Sequence, residues 1–521
     1  MVARWWCRGR KRFGEEDVVK QLATELTSRA ATDPDTVAVI DADGQHTLGE
    51  VVTEASRLAA WLEEAVGGSP TVLVQADNSW RTLAAAVAVG LRGGLIAVTS
   101  RQATASEVAL ALEDLRPDVV VAADDVLAGW RLPREFAVSG TALAGWRTRA
   151  KQPPASDVTR WGGGSVVAMT SGSTGRPKCV VQSEDALRYA GSCTVEAVGL
   201  RAGDPVAALV PLSSVAAFCF GMYLPASLGA PMVCLDKWSP QKALELMEQH
   251  RVSWTMLVPT MALQLAVQPG AEGALTSLKA MTVGGGPMDA GALQRAETVL
   301  GTRILRVFGM SECLGHTTPR PDEPWEIRLG RDGRPFPGTV VRAVDADGNE
   351  LPPGTVGEAQ VRGPSLFVGY ARDGRVERPR FTADGFLPTG DLVEVGHDGT
   401  IKVSGRKKQI IIRGGRNIDI NEVEAAVGRM PGINQVCVVP VPDDVLGERV
   451  AALVVAEGGP LGLSEVTRWL EESGFPKQKW PEYVFTVPEL PRNRVGKLSR
   501  PDATALAVRL RDSDPSSGQT S

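Results

Sequence analysis

The chain has few cysteines and histidines, and they form no pattern typical of a metal or disulfide site. Its seven cysteines are scattered without a CxxC pair, and its four histidines complete no zinc-type spacing. We therefore do not expect disulfides to organise the fold, which fits a protein of the reducing cytoplasm.

An excess of positive charge is also missing. The formal net charge is -5, so the chain as a whole offers no electrostatic support for nucleic-acid binding. Hydrophobic residues make up 43% and charged residues 22%, which is ordinary for a globular protein. A length of 521 residues exceeds one ordinary domain, so two or more globular units are expected.

Charged residues are absent from Val206–Leu235, a segment long enough to raise the question of a membrane span. Pro211, Pro225 and Pro231 interrupt this segment, and proline breaks a long helix. A buried strand, a turn and a helix are the better interpretation, so no membrane span is expected.

The N-terminal segment, MVARWWCRGRKRF, is basic but lacks the apolar run of a signal peptide. We expect a solvated arm in this segment. Attachment to a surface through Trp5 and Trp6 is the alternative.

Short apolar runs alternate with helical patterns over most of the chain. This alternation predicts an α/β fold, in which a large N-terminal domain is built on parallel, doubly wound sheets. The predicted strands are Thr71–Gln75, Leu95–Thr99, Val119–Ala123, Val166–Met169 and Trp254–Val258, and the predicted helices are Trp80–Val89 and Lys242–His250.

The composition changes around Asp398–Gln409, and a small α/β domain is predicted after it. We expect an N-terminal domain at residues 1–407, a small mobile C-terminal domain at residues 408–511 and a disordered polar tail at residues 512–521. The elements predicted in the small domain are the strands Ile410–Ile412, Gln435–Val441 and Val450–Val455 and the helix Ile420–Val427.

The most specific local signal is the segment MTSGSTGRPK, Met169–Lys178. Its hydroxyls can donate to a phosphate, its glycines let backbone N–H groups turn inward, and Lys178 adds a positive charge. It is not a Walker A loop, because that pattern ends in Gly-Lys and has wider glycine spacing. A surface turn is the alternative for the loop taken alone. The predicted loop residues are Thr170, Ser171, Gly172, Ser173, Thr174 and Gly175.

This loop resembles the phosphate loop of the adenylate-forming superfamily, which includes acyl-CoA synthetases, peptide-synthetase adenylation domains and luciferases. Further motifs of the superfamily follow in its order, and the resemblance extends from about residue 20 to about residue 510. The chain is most similar to an acyl-CoA ligase. The motifs are GGGP at Gly284–Pro287, FGMSE at Phe308–Glu312, TGD at Thr389–Asp391, the hinge region at Gly405–Glu424 and PRNRVGKLSR at Pro491–Arg500.

The resemblance implies that ATP activates a small-molecule carboxylic acid as an acyl adenylate, with release of pyrophosphate. Two anions must approach, and unit charges about 4 Å apart interact by roughly 4 kcal/mol at an effective dielectric near 20. Positive groups must offset this repulsion. Lys497 matches the catalytic lysine of the superfamily, Lys178 is the loop lysine, and Glu312 is expected to hold Mg²⁺ on the phosphates.

Other motif residues are expected to bind the nucleotide. Phe308 offers a flat face for adenine, and Ser311 offers a hydroxyl to the α-phosphate. Asp391 and Arg406 are expected at the ribose, because an ionised carboxylate accepts from both ribose hydroxyls. The remaining predicted contacts are Gly285, Gly286, Pro287, Gly309 and Met310.

The resemblance also implies a second reaction, in which the thiol of coenzyme A attacks the acyl adenylate after the small domain turns about a hinge. Lys408 matches the hinge position. Gly414 and Gly415 are expected to line the pantetheine tunnel, because they carry no side chain. A tight turn between strands is the alternative for these two glycines.

The layout of the superfamily implies a mostly apolar acyl pocket. The segment Val206–Leu235 has no acidic residue that could pair with a substrate ammonium, and burying an unpaired ammonium is costly. We therefore expect an acid without an α-amino group. His316 is expected as a packed or hydrogen-bonded neighbour rather than as a catalyst. The predicted pocket residues are Val215, Ala216, Phe218, Cys219, Met222, Cys313 and His316, with Gly285, Gly286 and Met310 beside them.

Several positions differ from the superfamily pattern. Cys179 follows the loop lysine where glycine is usual, and Ser213 and Ser214 stand where an aromatic residue and a histidine are common. Arg416 replaces a common glutamate. These differences keep three alternatives open: an adenylation enzyme that loads a separate carrier protein, a variant that performs only the thioester half-reaction, and a binding protein that has lost adenylation.

Overall fold

The structure is a computed structural model that describes residues 20–154, 157–170, 178–286, 288–406, 410–413, 416–443, 445–492 and 498–513. The basic arm with Trp5 and Trp6 lies outside these residues, as does the end of the predicted tail. The chain divides into two compact units. The first contains the residues through Val340 together with Val361–Leu387, and the second contains Val341–Gln360 and the residues from Pro388 onward.

Helices and strands alternate along the first unit. The first half contains α1 (Lys20–Thr32), β1 (Val37–Asp41), β2 (Gly44–Thr47), α2 (Leu48–Ala65), β3 (Thr71–Gln75), α3 (Trp80–Leu91), β4 (Leu95–Thr99), α4 (Ala105–Leu115), β5 (Val119–Ala123), α5 (Asp124–Trp130), β6 (Val138–Thr141), β7 (Trp146–Ala150) and β8 (Val166–Thr170). Then follow β9 (Lys178–Gln182), α6 (Glu184–Val198), β10 (Val206–Ala208), α7 (Val215–Ala217), α8 (Leu224–Leu228), β11 (Met232–Cys234), α9 (Pro240–Gln249), β12 (Trp254–Leu257), α10 (Pro259–Ala266), β13 (Ala280–Gly284), α11 (Ala290–Leu300), β14 (Ile304–Val307), β15 (Thr317–Thr318), α12 (Trp325–Arg328) and β16 (Arg334–Pro335).

The remaining elements continue to the C-terminal region. They are β17 (Val340–Val344), β18 (Val356–Arg362), β19 (Gly369–Arg372), β20 (Arg375–Glu377), β21 (Leu387–Val395), β22 (Ile401–Arg406), β23 (Ile410–Arg413), β24 (Arg416–Asp419), α13 (Ile420–Gly428), β25 (Ile433–Asp443), β26 (Gly447–Ala456), α14 (Leu463–Glu472), β27 (Tyr483–Thr486) and α15 (Arg500–Ser513).

Two large sheets form the first unit. The nine-stranded sheet has the order β20-β19-β9-β8-β4-β3-β5-β7-β6, with a parallel centre of β8, β4, β3 and β5 and antiparallel strands on both sides. The seven-stranded sheet has the order β14-β13-β12-β10-β11-β1-β2 and is parallel except for the β1–β2 pair.

Side-chain alternation along the strands builds the core. Val72 and Val74 on β3 enter one hydrophobic cluster, whereas Leu73 enters the cluster on the opposite face. Strand β3 is buried along its whole length, as expected for a parallel strand covered on both faces. Helix α2 begins with a capping box, in which Thr47 and Glu50 satisfy each other's backbone N–H groups.

The second unit contains most of a four-stranded sheet in the order β17-β18-β21-β22. The first residue of β17, the last two of β18 and the first of β21 are assigned to the first unit. The other sheet of the second unit has the order β24-β23-β26-β25, and β27 pairs with β26 in parallel. Helix α13 packs its Val423 and Val427 into the core of this second sheet. The domain boundary predicted near Lys408 stays a prediction, because Lys408 lies outside the described residues.

The predicted α/β fold class is confirmed, with a large N-terminal part and a smaller C-terminal one. The segment Val206–Leu235 folds as β10, the helical stretch from Val215 to Leu228 and β11. The turn Phe218–Tyr223 within that stretch is π-helical. In the part of the chain that the structure describes, no helix has the length and apolarity needed to cross a membrane.

Candidate active site

The predicted phosphate loop connects two antiparallel strands of the nine-stranded sheet. Thr170 pairs with Lys178 at the end of the β8–β9 ladder, and β8 runs parallel to β4 in the sheet centre. The loop therefore starts at the carboxyl end of a parallel strand, where ligands of such sheets bind. Its residues Ser171, Gly172, Ser173, Thr174 and Gly175 lie outside the described residues, so their predicted phosphate contacts stay predictions.

Cys179, the first departure from the superfamily pattern, is a core residue. It is 2% exposed, belongs to the hydrophobic cluster of the nine-stranded sheet and pairs with Ala371 of β19. Its neighbour Lys178 is exposed at the start of β9, whereas the other four residues of the strand are buried. Cysteine at this position therefore fills the core.

Glu312 lies in a tight turn that two other segments hold in place. Its carbonyl oxygen accepts from the Phe367 N–H at 2.9 Å, and its Oε1 accepts from the Tyr370 hydroxyl at 2.8 Å. The carbonyl oxygen of Ser311 accepts from Gln182 Nε2 at 2.8 Å. The backbone of this turn is thus held by Phe367 and Gln182, and the half-buried carboxylate of Glu312 is oriented by one neutral donor, the Tyr370 hydroxyl.

Tyr370 is held by its own neighbours. The Lys178 Nζ lies 5.1 Å from the centroid of the Tyr370 ring, and the Phe367 ring meets it edge-on at 4.9 Å. Burial, together with the nearby Glu312 carboxylate, raises the pKa of Tyr370 well above its ordinary value. The phenol therefore stays protonated and donates to Glu312.

Phe308 follows β14 and packs against His316. The two rings are edge-to-face with centroids 4.5 Å apart, and Phe308 is 7% exposed. The Phe308 N–H donates to Thr317 Oγ1 at 3.1 Å. This packing fixes the ring that was predicted to contact adenine.

His316 is completely buried and electrically neutral. Its Nδ1 lies 3.0 Å from the Cys313 carbonyl oxygen, which requires a proton on Nδ1. Burial lowers the pKa of His316 to about 4. Its Nε2 has no hydrogen-bond partner among the described residues.

The glycine turn after β13 lies at the same sheet edge as Phe308. Strands β10, β12, β13 and β14 are parallel neighbours, so their carboxyl ends meet at one edge. Gly285 has φ +81° and is exposed, and a Cβ on Gly286 would lie 3.6 Å from Pro259. Pro287 lies outside the described residues. The turn at Gly309–Met310 follows β14 at this edge and is half-buried.

Most of the predicted acyl-pocket residues are core residues in this structure. Val215, Phe218, Cys219 and Met222 are at most 1% exposed, whereas Ala216 is half-buried. Cys219 Sγ donates to the Leu187 carbonyl oxygen at 3.5 Å. The helical stretch therefore presents Ala216 to solvent and packs the other four inward.

The turn after Phe308 contains the predicted pocket residue Cys313 and, two residues further on, Gly315. Cys313 is completely buried beside Ser365, with 3.4 Å between Sγ and Oγ, and burial raises the pKa of its thiol to about 12. Gly315, half-buried at φ +36°, faces Phe220, whose ring meets Trp254 edge-on at 6.4 Å. Gly315 and Phe220 were not predicted, because their approach depends on two segments far apart in the chain.

Asp391 and Arg406 form a pair across a hairpin of the second unit. The two residues are opposite each other in the β21–β22 ladder, and Arg406 Nε donates to Asp391 Oδ1 at 2.6 Å. The Asp391 N–H donates to Thr389 Oγ1 at 3.0 Å. Asp391 is 3% exposed, while the Arg406 side chain is mostly exposed. The structure brings these two predicted ribose residues together.

The remaining predicted residues, Lys408, Gly414, Gly415 and Lys497, lie outside the described residues. Gly414 and Gly415 connect Arg413 with Arg416, which pair in the β23–β24 hairpin. Arg492 and Leu498, the described residues on either side of 493–497, form an isolated antiparallel bridge. Beyond it, Arg500 binds both carboxylate oxygens of Glu424 at 2.6 and 2.9 Å.

Two family models match the chain. The AMP-binding enzyme model matches residues 26–371, and the model of the AMP-binding enzyme C-terminal domain matches residues 422–497. The Phe308–Glu312 turn and Tyr370 lie in the first range, and Lys497 ends the second.

Two relatives and one solved structure are similar to this chain over most of its length. The salicylyl-CoA synthase / salicylate adenylyltransferase of a Streptomyces species is 33% identical over 517 residues, which cover 92% of each chain. The salicyl-AMP ligase / salicyl-S-ArCP synthetase of Mycobacterium tuberculosis is 31% identical over 516 residues, covering 92% of this chain and 90% of that protein. The ATP-bound crystal structure of MatB from Rhodopseudomonas palustris matches with a TM-score of 0.83 and 26% identity, covering 95% of this chain and 99% of that one. The sequence motifs, the fold and these similarities agree, and the chain belongs to the AMP-binding enzyme family.

Proposed function

We propose that the chain is an aryl-acid ligase: it activates an aromatic carboxylic acid with ATP and transfers the acyl group to a thiol, in the first place that of coenzyme A. The observation that carries this proposal is the arrangement at the carboxyl edge of the parallel strands, where the turn with Phe308, Ser311 and Glu312 is rigidly held. The salicylate named for two relatives of nearly full length supports an aromatic acid.

The segment Val206–Leu235, which is expected to contact the acid, suits an uncharged, flat acyl group. Residues 206–235 carry no charge, so a substrate ammonium would find no carboxylate there. Phe220 faces Gly315, and Ala216 is half-buried in the helical stretch. Small and aromatic side chains at this position suit an aromatic ring and offer nothing to an amino group.

The first reaction joins the acid to the nucleotide. A carboxylate oxygen attacks the α-phosphorus of ATP, the bond to pyrophosphate breaks, and the products are acyl-AMP and pyrophosphate. Lys497 offsets the repulsion between the two anions, and Lys178 attracts the phosphates. Phe308 packs against adenine, while Asp391 and Arg406 bind the ribose.

Glu312 fits the role of a Mg²⁺ ligand. Mg²⁺ prefers oxygen ligands and is often held by one carboxylate together with substrate phosphates. No cationic side chain among the described residues forms an ion pair with Glu312. No cluster of three or more His, Cys, Asp or Glu side chains suitable for a metal occurs in the described part of the chain. When bound, Mg²⁺ would neutralise phosphate charge.

The second reaction transfers the acyl group. The thiol sulfur attacks the acyl carbonyl carbon, the bond to AMP breaks, and a thioester and AMP are released. We propose that Gly414 and Gly415 border the path of the pantetheine arm and that Lys408 is the hinge. Coenzyme A is the preferred acceptor, since the Streptomyces relative is named as a salicylyl-CoA synthase.

A carrier protein is the second candidate acceptor. The relative from Mycobacterium tuberculosis is named as a salicyl-S-ArCP synthetase and is similar to the chain over nearly the same length. Both candidates share the adenylation step and differ only in the molecule that bears the thiol.

Acid-dependent exchange of pyrophosphate into ATP tests the adenylation step. The full chain is assayed with ATP, Mg²⁺ and a panel of aromatic acids, fatty acids and α-amino acids, with salicylate and benzoate among them. We expect exchange with at least one aromatic acid and none with an α-amino acid. Exchange with amino acids, or with no acid of the panel, contradicts the proposal.

The acceptor is then identified by mass spectrometry. The same reaction is repeated with coenzyme A and, separately, with pantetheinylated carrier proteins, and the thioester products are measured. A thioester with coenzyme A at a rate comparable to that of exchange supports the first candidate. A mass shift only on a carrier protein supports the second.

A further inference from the structure

Tyr370 contacts the proposed Mg²⁺ ligand although it lies 58 residues further along the chain. Its hydroxyl donates to Glu312 Oε1 at 2.8 Å, and the nearby Phe367 N–H donates to the Glu312 carbonyl oxygen at 2.9 Å. One short segment therefore fixes both the backbone and the carboxylate of Glu312.

Strand pairing determines where this hydroxyl lies. Strand β19 pairs antiparallel with β9, and Tyr370 is opposite Val180. The Lys178 ammonium lies 5.1 Å from the centroid of the Tyr370 ring, and the Phe367 ring packs edge-to-face with it at 4.9 Å. Strand register and ring packing therefore set the direction of the ring, whose hydroxyl donates to Glu312.

The chemical type of the donor is important. An Arg or Lys in this position would orient the carboxylate but would also compensate its charge and compete with a divalent cation. A phenol is neutral, so it uses one lone pair of Glu312 and leaves the negative charge for the cation. The second carboxylate oxygen of Glu312 has no hydrogen bond to a described residue.

We propose that Tyr370 is a positioning residue for Mg²⁺·ATP, whose hydroxyl holds the Glu312 carboxylate in the direction required by the cation. This inference rests on the proposed function for the role of Glu312. The thioester half-reaction starts from an acyl adenylate that has already lost pyrophosphate, so Tyr370 contributes to adenylation and little to acyl transfer.

The test compares Tyr370→Phe with Tyr189→Phe in the full chain. Both changes remove one phenolic oxygen from a tyrosine of the first unit, but Tyr189 is buried, and its hydroxyl donates to the Pro337 carbonyl oxygen at 2.9 Å rather than to Glu312. Isothermal titration calorimetry measures ATP binding in Mg²⁺ and in EDTA. We expect Tyr370→Phe to reduce the Mg²⁺-dependent gain in ATP affinity about tenfold, and Tyr189→Phe to leave it unchanged.

A double-mutant comparison separates positioning from general loss of structure. In a Glu312→Gln background, the change Tyr370→Phe should have no further effect on the Mg²⁺-dependent gain. In the exchange assay, Tyr370→Phe should need about tenfold more Mg²⁺ for half-maximal rate. Conversion of supplied acyl-AMP to thioester should stay within about twofold of wild type, which a merely unfolded variant would not achieve.

Three outcomes would overturn the inference: an unchanged Mg²⁺-dependent gain in Tyr370→Phe, an equal loss in Tyr189→Phe, or an effect that persists in the Glu312→Gln background. A wild-type chain that binds Mg²⁺·ATP but exchanges pyrophosphate with no acid would instead contradict the proposed function. The calorimetric comparison would still decide the role of Tyr370, because it requires no acid.

Discussion

A Cβ atom on Gly315 would lie 2.6 Å from Cζ of Phe220. Gly315 also has φ +36°, a backbone conformation that residues with a side chain adopt at a cost of roughly 1–2 kcal/mol. The turn after Glu312 and the π-helical stretch are thus in contact at a point where only glycine fits. We expect the acid to bind beside this contact, which would then limit the size of the acid that fits.

Gly315→Ala is expected to impair use of the acid. The added methyl group displaces Phe220, so the KM for the acid should rise about tenfold, while the affinity for ATP changes little. Pyrophosphate exchange at varied acid concentration measures the effect. Gly129→Ala is the control, because a Cβ there would have no atom within 4 Å. An unchanged KM for the acid would exclude Gly315 from the pocket wall.

Asp391→Asn is expected to weaken ATP binding. The carboxylate accepts from Arg406 Nε at 2.6 Å and is proposed to accept from the ribose hydroxyls. Loss of a charged acceptor costs about 1.5–3 kcal/mol, so the affinity for ATP should fall at least tenfold. The variant should also discriminate less between ATP and 2′-deoxy- or 3′-deoxy-ATP. The measurement is calorimetric titration with the three nucleotides.

Asp398→Asn is the matched control for this prediction. Asp398 lies in the turn of the same hairpin, where it accepts from the Thr400 hydroxyl at 2.7 Å. Its replacement should leave nucleotide discrimination unchanged. Equal weakening in the two variants would mean that the hairpin fold, and not the Asp391 carboxylate, is responsible.

Lys497→Ala is expected to separate the two half-reactions. Removal of a positive group that stabilises transition-state charge costs about 10²–10³ in rate, so pyrophosphate exchange should almost disappear. Thioester formation from supplied acyl-AMP needs no such group and should persist. Lys477→Ala serves as control, since Lys477 lies over the Trp480 ring at 5.6 Å in the same unit. Equal loss of both half-reactions would contradict the assigned role.

His316 is expected to make the first unit less stable in acid. Its pKa is about 4 in the folded chain and about 6.5 when unfolded, so the unfolded chain binds more protons between these values. The contribution of neutral His316 is complete above pH 6.5 and declines as the pH falls, by about 2 kcal/mol at pH 5. His316→Asn removes this titration and can keep the donor to the Cys313 carbonyl. Denaturant unfolding at pH 7.5 and pH 5 measures the difference.

The deciding quantity is how strongly the free energy of unfolding depends on pH in wild type and in His316→Asn. The difference in unfolding free energy between the two pH values should be smaller for His316→Asn than for wild type. Identical slopes would show that His316 does not control the acid sensitivity of this unit.

The strand and helix pattern could largely be predicted because it depends on short-range alternation. Thr71–Gln75, Leu95–Thr99 and Val119–Ala123 are strands at the predicted residues, and helix α9 starts at Pro240, two residues before the predicted Lys242. The antiparallel strands β9, β19 and β20 beside the parallel centre were not predicted, because pairing between distant segments leaves no local periodicity.

The local sequence also could not predict which residues of Val206–Leu235 are buried in the core. An apolar residue on a helix suits a ligand pocket and a protein core equally well, and periodicity cannot separate the two. In the fold, Val215 and Met222 pack inward while Ala216 stays half-buried. The helical turn between them is π-helical, which changes the residues that share a face.

The sequence by itself determined the α/β class, the family through its motifs, and the residue types available for ATP chemistry, because these are properties of short segments and their order. Only the tertiary structure decided that Tyr370 reaches Glu312, that Gly315 meets Phe220, and that Cys179 belongs to the core. The physical reason is that such contacts arise from strand register and core packing between segments far apart in the chain, which no local pattern encodes.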